Sequence, residues 1–208
     1  MLVLASMSPR RVMLLRDWGF QPEVIKVSVS ESLAEVVNPR EGVQLLAERK
    51  ASAGVNEWRK LGGQPEDIVL GADTMVVLER EILGKPRTSV EAQEMLHLLS
   101  SKRHHVLTGV AIIRLTGERE LAVVETEVNF RRLSKAQIKA YVATGEPMDK
   151  AGAYAIQGEA QEFVESYLGS LSNVIGLPME YVSEKLKMWG ISQINIALRE
   201  VDHGISST

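Results

Sequence analysis

With 208 residues, 45% of them apolar and 25% charged, the chain is long enough to bury one sizeable core. A formal net charge of −3 argues against a globally basic nucleic-acid binder. The absence of cysteine excludes disulfides, thiolate catalysis and zinc–thiolate centres, and no apolar run reaches membrane-span length. The N-terminus carries no basic stretch followed by a long apolar one, so no signal peptide is read there, and a cytoplasmic enzyme or binding protein is expected.

Leu2–Ala5 reads as a first strand. It breaks abruptly into Ser6, Ser8, Pro9, Arg10 and Arg11, with Ser8 as a helix cap and Pro9 at the first helical position. Val12, Leu15 and Trp18 form one apolar face, and Gly19 closes the helix. A strand running into a helix start leaves backbone N–H groups unpaired beside the positive end of the dipole. Two arginines at that junction make a phosphate group the natural guest.

Phe20–Val29 reads as extended. Asn38-Pro39-Arg40-Glu41 has the pattern of a capping box and opens a helix to about Val55. Ile68–Ala72 and Thr74–Leu78 read as strand segments separated by Asp73, followed by a tight turn at Glu79-Arg80-Glu81. Thr88–Glu91 starts a helix with Ala92, Met95, Leu96 and Leu99 on one stripe. His105–Leu115 and Leu121–Phe130 form an expected antiparallel pair about Thr116-Gly117. Ser134–Gln137 is a second capping-box pattern, for a helix ending near Gly145. Glu162–Leu168 is strand-like and Pro178–Trp189 helical. Ile191–Leu198 is apolar enough to dock, and Val201–Thr208 is a polar tail expected to fray. Strands and helices alternate without a regular βαβ period, which predicts a mixed sheet flanked by helices.

Candidate chemistry sits where apolar runs meet charged residues beside Gly or Pro. Asp73 reads either as a strand-break residue bonding nearby backbone or as a metal ligand or general base. Lys85, between Gly84 and Pro86, is on its own a loop lysine; Lys50, inside a helix, is on its own a snorkelling surface residue. Glu31, in the polar stretch Ser28–Ser32, reads either as an ordinary loop acid or as a partner of Asp73 around a divalent cation, since hard cations want oxygen ligands. The Gln157 amide, beside Gly158, is suited to a base edge or to an ordinary loop hydrogen bond. His97 is expected on a helix surface, and the adjacent His104 and His105 on opposite faces of a strand, a poor geometry for joint metal binding. Neither the Walker loop nor Gly-x-Gly-x-x-Gly occurs.

Taken together, eight segments resemble the Maf (septum formation protein) family of nucleoside triphosphate pyrophosphatases. They are Leu4–Arg11, Glu48–Ala51, Val69–Thr74, Leu83–Arg87, Leu107–Gly109, Tyr141–Pro147, Asp149–Gly158 and Ser172–Pro178, in the family's order. The resemblance implies an α/β fold with an elongated mixed sheet and two lobes around a central cleft, in a single unit over residues 1–190 with 191–208 as an extension. It implies hydrolysis of a nucleoside triphosphate to monophosphate and pyrophosphate, a divalent cofactor (Mg²⁺ or Mn²⁺), and a homodimer. On this sequence Asp73 becomes the general base and, with Glu31, the metal-side acid. Ser6, Arg10, Arg11, Lys50 and Lys85 become the triphosphate-holding set. Arg10, Thr74 and Gln157 match positions associated with base preference and point to the dTTP/UTP branch. The alternatives are 7-methyl-GTP or another modified purine as substrate, or a nucleotide-binding regulator of cell division without catalysis. Ser30 stands where some members carry a second acid, which leaves the metal ligands open.

Overall fold

The computed structural model describes residues 1–33 and 38–193. The elements are β1 (Leu2–Ala5), α1 (Pro9–Asp17), β2 (Glu23–Ile25), α2 (Pro39–Lys60), β3 (Ile68–Leu78), β4 (Glu81–Leu83), α3 (Ser89–Leu99), β5 (Arg103–Arg114), β6 (Arg119–Phe130), α4 (Lys135–Ala143), β7 (Val164–Leu168), α5 (Leu171–Ile175) and α6 (Met179–Met188). Short 3₁₀ turns cover Glu146–Asp149, Ala151–Ala153 and Glu159–Phe163. One mixed sheet runs in the order β2-β1-β3-β5-β6-β7, with β4 paired to β3. β1 lies parallel to β2 and β3, and the remaining pairings are antiparallel. Among the described residues no helix is long and apolar enough to cross a membrane.

Both faces of the central strands β1 and β3 are covered, which is why β1 and the first part of β3 read as unbroken apolar runs rather than alternations, whereas β7 at the edge is mostly exposed. Side chains still alternate by position. Leu2, Leu4 and Leu70 join the larger core with Phe20, Leu96, Ile112, Ile138 and Leu186, whereas Val3, Ala5 and Val69 pack under α2 with Ala47, Ala51 and Ala111. The seam with α2 is unusually close. A Cβ at Gly109 would sit 2.3 Å from the Val43 carbonyl oxygen, and one at Gly71 2.5 Å from that of Ala47. Glycine therefore lets the α2 backbone rest directly on β3 and β5.

Several local expectations are corrected. Asp73 does not separate two strands: β3 runs unbroken through it, with Asp73 in register with Gly109 of β5. Pairing along β5 satisfies the backbone, so the carboxylate imposes no break. Ser8 occupies the N-cap of α1, but its side chain makes no capping hydrogen bond. Asn38 accepts from the Arg40 N–H rather than completing a capping box, and α2 continues past Val55 to Lys60. Only Glu23–Ile25 of the stretch 20–29 is strand. The capping box at Ser134 and Gln137 is present with both hydrogen bonds. His104 is fully buried and His105 half-exposed, as adjacent strand positions demand. Beyond Gln193 the expected C-terminal extension lies outside the described residues.

Candidate active site

β3 is the longest path through the site, and its outer edge is open in the middle. The ladder with β1 ends at Leu70, and the ladder with β4 begins only at Val76. Gly71 to Met75 thus border a gap rather than a neighbouring strand, and a cleft of about 600 Å³ opens there. A gap in a sheet exposes both faces of the same strand to one hollow. Odd-numbered Asp73 looks toward α2, and even-numbered Thr74 toward α1 and α5.

On the α2 side, Lys50 Nζ donates to Asp73 Oδ1 at 2.5 Å and to Glu31 Oε1 at 3.2 Å. Lys50 and Asp73 are only 16% and 14% exposed, so this is no snorkelling surface lysine. The close α2 seam carries Lys50 to this place. The other Asp73 oxygen accepts from no side chain or backbone group among the described residues.

On the other side, Arg11 is buried and its fork is held by neutral acceptors. Nε donates to the Gly176 carbonyl at 2.8 Å, Nη2 to Thr74 Oγ1 at 3.1 Å, and Nη1 to Ser6 Oγ at 3.5 Å. Burial pulls the guanidinium below its ordinary value, and the field of Asp73 works against that. A buried cation with no carboxylate on its own fork is costly unless an anion arrives. Thr74 is in turn tied to Thr108 of β5 (3.0 Å), whose hydroxyl reaches the Asn173 carbonyl (3.1 Å).

The far wall comes from the loop after β4 and the 3₁₀ turns. Gly152 N–H donates to the Gly84 carbonyl at 3.0 Å, binding the Lys85 loop to the Lys150 turn. Gly152 has φ +68° and lies against Val76, so a side chain would be strained and crowded there. Lys150 contacts Asp149, and Asp149 Oδ2 lies 3.4 Å from Arg10 Nη1. Burial works to raise the Asp149 carboxyl, but Lys150 and then Arg10 outweigh it and hold it below the ordinary range. Tyr141 donates to Glu146 Oε1 (3.2 Å) and accepts from Ala155 N–H (3.2 Å), while Glu146 Oε2 accepts from Glu159 N–H (3.3 Å). These contacts brace the segment carrying Gln157. Tyr154, also on the wall, bonds buried His104 at 2.8 Å.

Of the expected site residues, Arg10, Arg11, Glu31, Lys50, Asp73, Thr74, Lys85 and Gln157 all line this one cleft. Ser6 does not line it. Its hydroxyl sits behind the cleft wall, accepting from Arg11 and from the Ser8 N–H. Lysines and arginines outnumber carboxylates around the hollow: Arg10, Arg11, Lys50, Lys85 and Lys150 against Glu31, Asp73 and Asp149. The balance suits a polyanion.

The family model described as Maf-like protein matches residues 1–189. The chain belongs to the Maf-like family. Its relatives include a dTTP/UTP pyrophosphatase of Desulfitobacterium hafniense (strain Y51), 54% identical over 100% of this chain and 93% of that protein. Another of the same name, from Geobacillus sp. (strain WCH70), is 46% identical over 91% of this chain and 98% of its own. A solved HAM1 protein from Coxiella burnetii aligns with a TM-score of 0.46 at 15% identity, covering 90% of this chain and 98% of that one.

In this Maf-like chain, sequence reasoning singled out no role for Lys150, Asp149 or Tyr154. In the sequence they belong to Asp149–Gly158, one of the segments that carry the family resemblance, with no role attached to any of the three. The Thr108–Asn173 link also went unseen. Leu107-Thr-Gly109 and Ser172-Asn173 belong to matched segments 60-odd positions apart, and only the fold makes them touch.

Proposed function

We propose that this chain hydrolyses dTTP and UTP to the nucleoside monophosphate and pyrophosphate in the cleft at the β3 gap. The observation that carries the reading is the Asp73–Lys50 pair at the open edge of β3, faced by Arg10, Arg11, Lys85 and Lys150. The relatives named dTTP/UTP pyrophosphatase, aligned over nearly the whole chain, supply the substrate class.

Arg11, pre-oriented by Gly176, Ser6 and Thr74, presents its remaining N–H groups to a phosphate, and Lys85, Lys150 and Arg10 supply charge along the polyphosphate. Asp73, with one oxygen held by Lys50, keeps the other for a water aimed at the α-phosphorus and takes its proton as attack proceeds. The cations stabilise charge developing on the departing pyrophosphate. Gln157 and Thr74 line the same hollow, which supports assigning them to the base.

The donor set fits a divalent cation. Glu31 and Asp73 both reach Lys50, giving two hard oxygen donors at one place, and among the described residues no group of three or more His, Asp or Glu is assembled. That suits an ion completing its shell with substrate oxygens and water, as Mg²⁺ prefers, rather than a cage built by protein alone. When bound there, such an ion polarises phosphoryl oxygens and acidifies water. A homodimer and a cytoplasmic setting complete the proposal, with residues 1–190 acting as one unit.

The test is product analysis with dTTP, UTP, CTP, 7-methyl-GTP and ATP in the presence of Mg²⁺ or Mn²⁺. Pyrophosphate and monophosphate, formed fastest from dTTP and UTP, are the expected outcome. Orthophosphate release, or nucleotide binding with no turnover, overturns the reading.

A further inference from the structure

Behind Arg11 runs a chain of hydrogen bonds whose direction can be assigned by counting protons. Arg11 only donates, so Thr74 Oγ1 accepts from its Nη2. The Asn173 carbonyl only accepts, so the Thr108 hydroxyl spends its single proton there, at 3.1 Å. The 3.0 Å contact between the two threonine hydroxyls must then be Thr74 donating to Thr108. The polarity runs one way: Arg11 to Thr74, Thr74 to Thr108, Thr108 to the Asn173 backbone.

Thr74 and Thr108 sit directly opposite one another on β3 and β5, on the face away from α2. Thr108 is fully buried and does not itself line the cleft, which it reaches through Thr74. It nevertheless decides what Thr74 does with its proton. Among the described residues, the other acceptor near that hydroxyl is the Gly176 carbonyl at 3.4 Å, which already accepts from Arg11 Nε at 2.8 Å. Without the Thr108 oxygen, the Thr74 proton turns to Gly176 and competes for the carbonyl that orients the guanidinium.

We propose that Thr108 is a positioning residue: it draws the Thr74 proton inward so that Gly176 and Thr74 both remain free to hold the Arg11 fork for a polyphosphate. This rests on the reading of the cleft as a phosphate site. The strand-to-α5 contact is the reason the relay ends on a rigid acceptor. Asn173 is itself anchored, with Nδ2 donating to the Val106 carbonyl (2.9 Å) and to Thr126 Oγ1 (3.0 Å).

The experiment measures inorganic pyrophosphate binding by calorimetry together with KM and kcat for UTP. Thr108→Val keeps the shape and removes the hydroxyl. It is expected to weaken pyrophosphate roughly tenfold, the scale of a disturbed hydrogen bond to a charged group. KM for UTP should rise in step, and Thr108→Ser should restore both. Trp58→Phe is the control, since it removes a part-buried hydrogen bond to Asp67 (2.8 Å) away from the cleft and from Thr74, Thr108 and Asn173. It should lower thermal stability while leaving pyrophosphate affinity within twofold. If Thr108→Val does not fold, Thr108→Cys, close in shape with a weakly bonding thiol, is read in its place. Equal losses of affinity in the Thr108 and Trp58 variants, or unchanged affinity in Thr108→Val, overturn the relay. Arg11→Lys separates the two levels of argument. If it leaves pyrophosphate binding intact, the phosphate site itself is wrong and the relay falls with it. If it weakens binding while Thr108→Val does not, only the relay fails.

Discussion

Two polar centres lie within the covered sheet, and they solve burial in opposite ways. Lys50 and Asp73 keep a cation and a carboxylate together at the β3 gap, each slightly exposed. His104, on the far face, is fully buried against Phe130 and Tyr154, with ring centroids 4.9 and 5.4 Å away, and its Nε2 bonds the Tyr154 hydroxyl. Burial and then the neighbouring His105 push His104 down to about 4, so it is neutral at physiological pH. Charge persists where an opposite charge and an opening to water are both at hand; where aromatic rings close off the site, the group gives up its proton. Only the first arrangement can exchange protons with a substrate.

The contrast is broken most directly at Asp73. Asp73→Asn removes the proton acceptor but leaves Lys50 a partner in Glu31, so the fold survives. Turnover of UTP should fall at least ~100-fold with little change in melting temperature. Near-normal turnover in that variant would remove Asp73 from the mechanism.

The second test concerns the neutral centre and acts on stability rather than rate. The folded value of His104 lies below the unfolded one of 6.5, so the unfolded chain binds the extra proton first. Its contribution is complete above pH 6.5 and is lost as pH falls from 6.5 through about 4, amounting to about 3 kcal/mol. Urea denaturation of wild type and His104→Gln across that window should show a shallower pH slope in the variant. Identical slopes would mean that the imidazole is not kept neutral by its surroundings.

The smallest effect is expected at Arg10. Its side chain is one-third exposed and faces Asp149 at 3.4 Å, a contact worth little to the fold. Arg10→Ala should shift the melting temperature by under about 2 °C, matching an exposed pair worth well under 1 kcal/mol. KM for UTP should rise several-fold with kcat largely kept. A large stability loss would show that Arg10 belongs with the buried Arg11 instead.

Much of this was legible in local patterns. Ser134 and Gln137 announce their capping box, because that motif is closed within one helical turn. His104 and His105 must face apart on any strand. The strand-to-helix junction was legible as well: β1 ends at Ala5, α1 opens at Pro9, and Arg10 and Arg11 line the cleft. Asp73 was legible as unusual but misplaced as a break, because a carboxylate in an apolar run looks disruptive until its neutralising lysine is known. That lysine lies 23 positions away on α2, and Glu31 a further 19 from it.

Sequence by itself determined most helices and strands and the mixed sheet, through periodicity and capping, though not β4 or α5, and it determined the family and the kind of chemistry through short ordered motifs that resemble a known family. Tertiary structure alone decided that β3 has an open edge between β1 and β4, that Arg11 is buried while Arg10 is not, and that Thr108 stands behind Thr74. Those outcomes depend on register between strands and on how closely α2 can approach through Gly71 and Gly109. Register and approach are set by packing among residues far apart along the chain, which no local window of sequence contains.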